Sequence, residues 1–347
     1  MSPPSRPIVE LAYEIREASD HTRGNLTDGI YEPYQLQAMS IPGAKPHPDK
    51  LVESTAMASV APPRPSYRPH LPEHVIEQGI LSEAQLESVI YAGEAHAGYL
   101  AGFWTVDKSW DNVHAASKET AGAVRFRRGW FLGDGTGAGK GRQVAGILVD
   151  NWLKGRRRHL WISKSDLIWD SQRDWSALGQ EKLLVTPLSR FRQGTPIRLA
   201  EGVLFTTFAT LRSDEREGKR SRVQQIVDWL GEDFDGVIIF DEGHAMANAA
   251  GGKTERGDKA GSQQGRAGLR LHAPCPIRAW SMSRRRVRRT SRIWPMPSVS
   301  DCGAPPIPVS DAIGFRHGHR GRRRRSHGGA RARSESPRPL CLTLAFL

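Results

Sequence analysis

The first 271 residues of this 347-residue chain contain no cysteine; Cys275, Cys302 and Cys341 all lie beyond them. A disulfide framework and a cysteine-based zinc site are thereby excluded from the body of the chain, and a reducing compartment is expected. No run of 18 apolar residues occurs, so neither a transmembrane helix nor a membrane partner is expected. Met1 to Arg6 lacks the apolar segment of a secretory signal. The body also lacks net charge. Residues 1–271 hold 34 basic and 34 acidic side chains, so the formal charge of +13 belongs wholly to residues 272–347. That stretch has sixteen Arg, two Asp, one Glu and no Lys.

The loss of lysine coincides with a loss of apolar periodicity, and Ser283 to Thr290 and Arg322 to Arg325 are typical of this C-terminal stretch. Two readings compete for this tail. One is a basic, disordered arm that binds nucleic acid or a membrane surface. The other is GC-rich coding DNA translated out of frame. Synonymous codons from Leu271 onward can be chosen so that a one-base displacement reads Leu-Gln-Arg-Ala-Leu-Pro-Asp-Pro-Arg-Val-Val-Asp-Val-Ser-Ala-Thr-Gly-Ala-Thr-Asn-Leu-Ala. The hidden text holds a strand, then Ser-Ala-Thr, then a helix-like segment, and the loss of one base near the His272 codon would produce the chain observed. Because the protein fixes most of the middle bases, the out-of-frame reading is preferred. Residues 272–347 are then a disordered, Arg- and Pro-rich tail.

In the body, Met1 to Asn25 is polar, with a short helix expected within Ile8 to Ala18. Residues 1–30 are read as a flexible N-terminus. Residues 31–115 are read as an extension, irregular from Tyr31 to Tyr67 and then helical from a Ser82 N-cap, with Leu86, Val89, Ile90 and Ala97 near helical spacing. Residues 116–271 alternate between apolar runs and amphipathic stretches. Strands are expected at 129–132, 159–163, 182–185, 203–207 and 236–240, and helices at 141–153, 166–178 and 221–230. Strands separated by helices imply an α/β domain, a parallel sheet flanked by helices. Gly251 to Gly265, glycine-rich and polar, reads as a mobile loop.

Two segments carry chemistry. Gly133-Asp134-Gly135-Thr136-Gly137-Ala138-Gly139-Lys140-Gly141 follows a strand and opens a helix, the setting of a phosphate loop. Glycines let the backbone turn N–H groups toward phosphate oxygens, the helix N-terminus adds positive potential, and Lys140 would reach the β and γ phosphates. Gly135 to Arg142 are the expected binding residues. The match is imperfect, because Asp134 stands at a glycine position and Gly141 replaces the Ser or Thr whose hydroxyl touches Mg²⁺. A plain glycine-rich strand–helix turn is the alternative.

The second segment is Val237-Ile238-Ile239-Phe240-Asp241-Glu242-Gly243-His244, a buried strand delivering two carboxylates at its C-terminal end, where ligands bind in open α/β sheets. Asp241 would hold Mg²⁺ through water, Glu242 would orient or deprotonate the attacking water, and His244 would couple the site to a neighbouring domain. A solvated strand end is the alternative, weakened by the phosphate loop about a hundred residues earlier. Weaker signals are Gln85, either an adenine contact or an exposed helical residue, and Ser163-Lys164-Ser165 with Thr206-Thr207, either a nucleic-acid track or ordinary loop residues. Arg125, Arg127, Arg128 and Lys154 to Arg158 read first as solvated basic faces.

Together these residues resemble the strawberry notch family of helicase superfamily 2. The resemblance runs from about Tyr31 to about Leu271 and rests on Leu81 to Glu87, Gly133 to Arg142, Leu160 to Ser163, Arg173-Asp174-Trp175 and Gly231 to Glu242. A loop ending in Lys-Gly-Arg is a feature of that family. Gly243-His244-Ala245-Met246-Ala247-Asn248 departs from the family's Cys-His-Lys-Ala-Lys-Asn. The resemblance implies a RecA-like P-loop domain, the first of two in an ATP- and Mg²⁺-dependent motor acting on DNA or RNA, with arginines of the second domain needed for hydrolysis. Eukaryotic members are linked to transcriptional regulation, which suggests transcription-related protein partners; bacterial ones look like helicases or translocases. A bacterial chain would be cytoplasmic and a eukaryotic one nuclear. Alternatives are a non-catalytic nucleotide-binding scaffold for transcription or chromatin partners with a real basic tail, and a P-loop machine acting on proteins.

Overall fold

The computed structural model describes residues 7–16, 31–58 except 37, 62–106, 113–180 except 136, 184–212 and 221–246 except 232. Short segments at 252–254, 257–259, 262–263, 267–268, 271, 279–283, 340–341 and 344–345 complete it. The chain divides into residues 1–295 with 339–347, and residues 296–338, which lie outside the described residues.

The first unit is built on a seven-stranded sheet. Its strands are β1 (Trp130–Leu132), β2 (Arg158–Ser163), β3 (Val185–Pro187), β4 (Gly202–Thr207), β5 (Val237–Phe240), β6 (Ala279–Ser283) and β7 (Leu344–Ala345). They lie in the order β3-β4-β2-β5-β6-β1-β7. All neighbours are parallel except β7, which runs antiparallel to β1. Strand β5 is apolar throughout, and β2 and β4 carry apolar runs at Leu160–Ile162 and Val203–Phe205, because both faces are covered. Side-chain alternation sorts them into two cores. Trp161, Val203, Phe205, Val237 and Ile239 pack on one face, while Leu160, Ile162, Leu204, Ile238 and Phe240 pack on the other. The register aligns like with like: Trp161 stands beside Phe205 and Ile239, and Leu160 beside Leu204 and Ile238.

Helices α1 (Glu83–Ala97), α2 (Lys140–Leu153) and α3 (Ile168–Ala177) supply the first core, through Leu86, Val89, Ile147, Leu148 and Trp175. Helix α4 (Arg222–Leu230) supplies the second, through Ile226, Trp229 and Leu230. The expected α/β architecture is therefore present. Three helix starts follow from local chemistry. Ser82 accepts from the Gln85 amide while the Gln85 side chain accepts from the Ser82 amide, a capping box. Ser221 caps α4 by accepting from the Gln224 amide. Helix α2 begins instead at Gly139, with φ 72° and no side-chain cap. Its residues Gln143 to Trp152 are all buried, so over that span it shows no solvent face.

Several expectations are corrected. Ile8–Glu10 pairs antiparallel with His70–Pro72, and Glu14–Ile15 with Met39–Ser40, so the helix expected within Ile8 to Ala18 is absent. Tyr31–Pro33 and Leu51–Ser54 pair in a segment expected to be irregular. The strand expected at 182–185 is β3 at 185–187, where pairing of Val185 with Val203 sets the register. Gly252–Thr254 and Gly257–Lys259 form a short hairpin in the stretch read as a loop. The sheet also passes the boundary expected at Leu271, taking β6 and β7 from beyond it. The arginine runs 284–289 and 322–325 lie outside the described residues.

The N-terminal extension is held by a half-buried and a fully buried carboxylate. Glu94 of α1 accepts from the amides of Ser66 (2.8 Å) and Tyr67 (2.7 Å). Asp150 of α2 accepts from the His70 amide at 2.7 Å and the Tyr67 hydroxyl. Gly236, at the entry to β5, passes so close to the Arg158 carbonyl and the Phe234 ring that a Cβ there would overlap both. Gly236→Ala is expected to cost about 2 kcal/mol or more, read as a lowered urea midpoint with unchanged m-value. An unchanged midpoint would show that the strand entry yields freely.

Candidate functional site

Parallel strands point their C-terminal ends to one edge of the sheet, and three of those ends supply the site. After β1 the chain turns through Gly133 to Gly139 into α2. Gly137 and Gly139 have φ of 98° and 72°, values that disfavour any residue with a Cβ. At Gly139 a Cβ would also strike the Gln85 amide. The Lys140 ammonium donates to the Asp134 and Gly135 carbonyls at 2.9 and 2.8 Å, lying along the loop it is expected to serve.

Other side chains fix the loop's shape. Gln143 donates to the Asp134 carboxylate at 2.8 Å and to the Ala138 carbonyl at 3.1 Å. Gln85 donates to the same Ala138 carbonyl at 3.1 Å while its oxygen serves the helix cap. Gln85 is thus buried rather than an exposed helical residue, and it ties α1 to the loop. Asp134, at a position where glycine is usual, is fully buried. Glu87 lies buried on α1, and burial together with the Asp134 charge pushes its carboxyl up to about 8.

Strand β5 ends at Asp241 and Glu242. The Asp241 amide donates to the Ile162 carbonyl at 2.8 Å. Its carboxylate accepts from the Ser163 hydroxyl at 2.8 Å and from the Glu242 amide at 2.9 Å. Among the described residues Glu242 is the one non-glycine with positive φ, 56°. Holding a non-glycine residue in that region costs on the order of 1–3 kcal/mol, strain typical of functional sites. Gly243–Met246 continues as a single 3₁₀ turn containing His244, whose side chain lies outside the described features. Thr136 also lies outside the described residues.

One cleft of about 490 Å³ brings together Gln85, Gly139, Lys140, Asp174, Asp241 and Glu242. Gly137, Gly141 and Arg142 also line it, whereas Gly135 and Ala138 support it from within the loop. Sequence reasoning gave Asp174 no chemical role, although Arg173-Asp174-Trp175 stood out as a motif. It comes from α3, and burial raises its carboxyl while Arg173 and Arg142 oppose that. Among the described residues no group of three or more His, Cys, Asp or Glu is placed to hold a metal ion. A Mg²⁺ here would complete its shell with phosphate oxygens and water, its usual habit.

Other sequence signals are used within the protein. Ser163 is buried against Asp241, and Thr207 caps a short helix by accepting from the Thr210 amide. Arg158 donates to the Trp229 carbonyl at 2.7 Å, Arg156 pairs with Asp235 at 3.4 Å, and Arg157 covers the Trp152 ring. Arg128 donates to the Tyr99 carbonyl, and Arg125 sits over the Tyr99 ring. Arg125, Arg128, Arg157 and Arg158 are nonetheless exposed, as expected of a solvated basic face. No helix among the described residues is long and apolar enough to cross a membrane.

The strand–loop–helix with Lys140 and the paired carboxylates on a neighbouring parallel strand agree with comparison to known proteins. The family described as P-loop containing NTP hydrolase pore-1 matches residues 46–279. Protein FORGETTER 1 of Arabidopsis thaliana is 35% identical over 266 residues, 75% of this chain and 18% of that protein. Strawberry notch homolog 1 of Rattus norvegicus is 34% identical over 251 residues, 70% of this chain and 18% of that protein. Strawberry notch of Drosophila melanogaster is 40% identical over 213 residues, 59% of this chain and 12% of that protein. The chain belongs to the strawberry notch family. It is a helicase-like member with a P-loop NTPase domain, a domain class that uses nucleotide and Mg²⁺ in general. The match spans less than a fifth of each of these relatives.

Proposed function

We propose that this strawberry notch-family chain binds ATP with Mg²⁺ in the cleft between its phosphate loop and the end of β5, as the first RecA-like domain of a motor acting on DNA or RNA. The observation that carries the reading is the meeting of Lys140, Asp241 and Glu242 in one cleft, at the strand ends where ligands of open α/β sheets bind. Lys140 releases its loop carbonyls and engages the β and γ phosphates, beside N–H groups at the start of α2. Asp241, oriented by Ser163, would hold Mg²⁺ through water, and Glu242, at a strained φ, would orient or deprotonate the attacking water. Bound Mg²⁺ would neutralise phosphate charge. His244 couples the site to a second domain. A role in transcription belongs to this reading through the family alone.

Residues from His272 onward are read as out-of-frame translation. Supporting this, synonymous codons for Ala279 to Ser283 in β6 can be chosen that spell Val-Val-Asp-Val before Ser-Ala-Thr when displaced by one base. On this reading hydrolysis needs arginines of a second RecA-like domain, and residues 1–271 alone would bind ATP with little turnover. The test is a titration of the chain with a fluorescent ATP analogue in Mg²⁺. Lys140→Ala should weaken binding about 10–100-fold, the worth of one or two charge-assisted hydrogen bonds. Glu242→Gln should bind like the parent. Equal affinity of Lys140→Ala and parent would refute the reading.

A further inference from the structure

The phosphate loop poses a problem of its own. A Ser or Thr normally follows the loop lysine and places its hydroxyl on Mg²⁺, yet this chain has Gly141. The structure shows more than a missing hydroxyl. A Cβ at position 141 would overlap Oδ2 of Asp174, so the volume that a serine side chain needs is already filled by a carboxylate.

That carboxylate is brought from another element, α3, and is held in place. Asp174 is only 7% exposed. Arg142 and Arg173 both approach its Oδ1, at 3.8 and 3.6 Å, which leaves Oδ2 as the oxygen turned toward Gly141. Asp174 lines the same cleft as Lys140 and Asp241. A carboxylate this close to the start of α2 would repel a bound polyphosphate, and a divalent cation between them reverses the sign of that interaction. Mg²⁺ prefers such carboxylate and phosphate oxygens over hydroxyls of equal reach.

We propose that Asp174 supplies the Mg²⁺ ligand that the residue after the loop lysine supplies elsewhere, with Gly141 present because the carboxylate needs its space. Asp174 and Asp241 would then face the cation from α3 and β5. The inference rests on the nucleotide-binding reading and adds to it a ligand from outside the phosphate loop.

The test is the Mg²⁺ dependence of nucleotide binding by the 347-residue chain, read with a fluorescent ADP analogue in Mg²⁺ and in EDTA. Hydrolysis plays no part in it. The parent should bind more tightly in Mg²⁺. Asp174→Asn, which keeps the shape and can still accept from both arginines, should lose about 10–100-fold in Mg²⁺, the scale of a disrupted metal shell, and nothing in EDTA. The double variant Asp174→Ala with Gly141→Ser, which vacates the volume and fills it with a hydroxyl, should regain Mg²⁺ dependence. Paramagnetic resonance of Mn²⁺ in place of Mg²⁺ should show the same order of cation affinities. If Asp174→Asn keeps the full Mg²⁺ effect, or weakens binding equally in both buffers, Asp174 serves as a structural partner of Arg142 and the inference falls. A parent that binds nucleotide equally in both buffers also overturns it. A parent that binds in neither overturns the nucleotide reading as well.

Discussion

On the proposed out-of-frame reading, restoring one base at the His272 codon should raise ATP turnover by about 10³–10⁵-fold, the usual worth of an arginine supplied to a phosphoryl-transfer site. On the proposed reading the nucleotide would be held and water oriented by Lys140 on the loop, Asp241 fixed by Ser163, and Glu242 at a strained φ of 56°. The proposed mechanism adds, from outside the chain, positive charge on the γ phosphate as negative charge spreads in the transition state. Strand β6 runs parallel between β5 and β1, at the positions where the proposed out-of-frame text would read Val-Val-Asp-Val before Ser-Ala-Thr. The restored protein's turnover should rise further with DNA or RNA and vanish in Glu242→Gln. Turnover in the 347-residue chain equal to that of the restored protein would contradict this mechanism, and so would a gene with no second frame beneath the tail.

Glu87→Gln should raise the melting temperature at pH 8 and leave it nearly unchanged at pH 4.5. Glu87 is buried in α1, its Oε2 has no hydrogen-bond partner among the described residues, and the Asp134 charge lies nearby. The folded carboxyl holds its proton up to about 8, whereas an unfolded one loses it near 4.5. Between these values the folded chain binds more protons than the unfolded one, so stability falls as pH rises through the window. Below it the penalty is absent, and above it the penalty is complete. A neutral amide removes that slope. The gain at pH 8 is on the order of a few kcal/mol, or roughly 5–10 °C for a domain of this size. Parallel melting profiles for parent and variant across pH 4.5–8 would show that Glu87 ionises without cost. Asp134 is held by Gln143, so the substitution should leave the loop's own contacts in place.

The site's main residues were legible because their chemistry is local. Glycine spacing and a following helix mark the phosphate loop, and an apolar run ending in Asp-Glu marks β5. Strands β2, β4 and β5 were legible from their apolar runs, whereas β6, Ala-Trp-Ser-Met-Ser, was not. Asp174 was not legible as a site residue. Its relation to Gly141 depends on how α3 packs against α2, 33 positions away in the chain, and no periodicity records that. The Gln143–Asp134 and Ser163–Asp241 hydrogen bonds are hidden for the same reason. The N-terminal strands were missed because they are two to four residues long and their partners are distant. Ile8–Glu10 pairs with His70–Pro72, next to residues 66–70 that Asp150 and Glu94 hold on the helices. Gln85 is a mixed case. The capping box was readable from Ser82 and Gln85, but the reach of the same side chain to Ala138 was not.

Whether this cleft is a nucleotide site built on Lys140 is tested most simply by the melting temperature of the 347-residue chain with and without ATP and Mg²⁺. At nucleotide concentrations a hundredfold above the dissociation constant, selective binding to the folded state adds about 2.7 kcal/mol, or roughly 5–10 °C. That rise is expected in the parent and in Glu242→Gln, and its loss is expected in Lys140→Ala. No rise in the parent, or the same rise in Lys140→Ala, would contradict a nucleotide site held by this lysine.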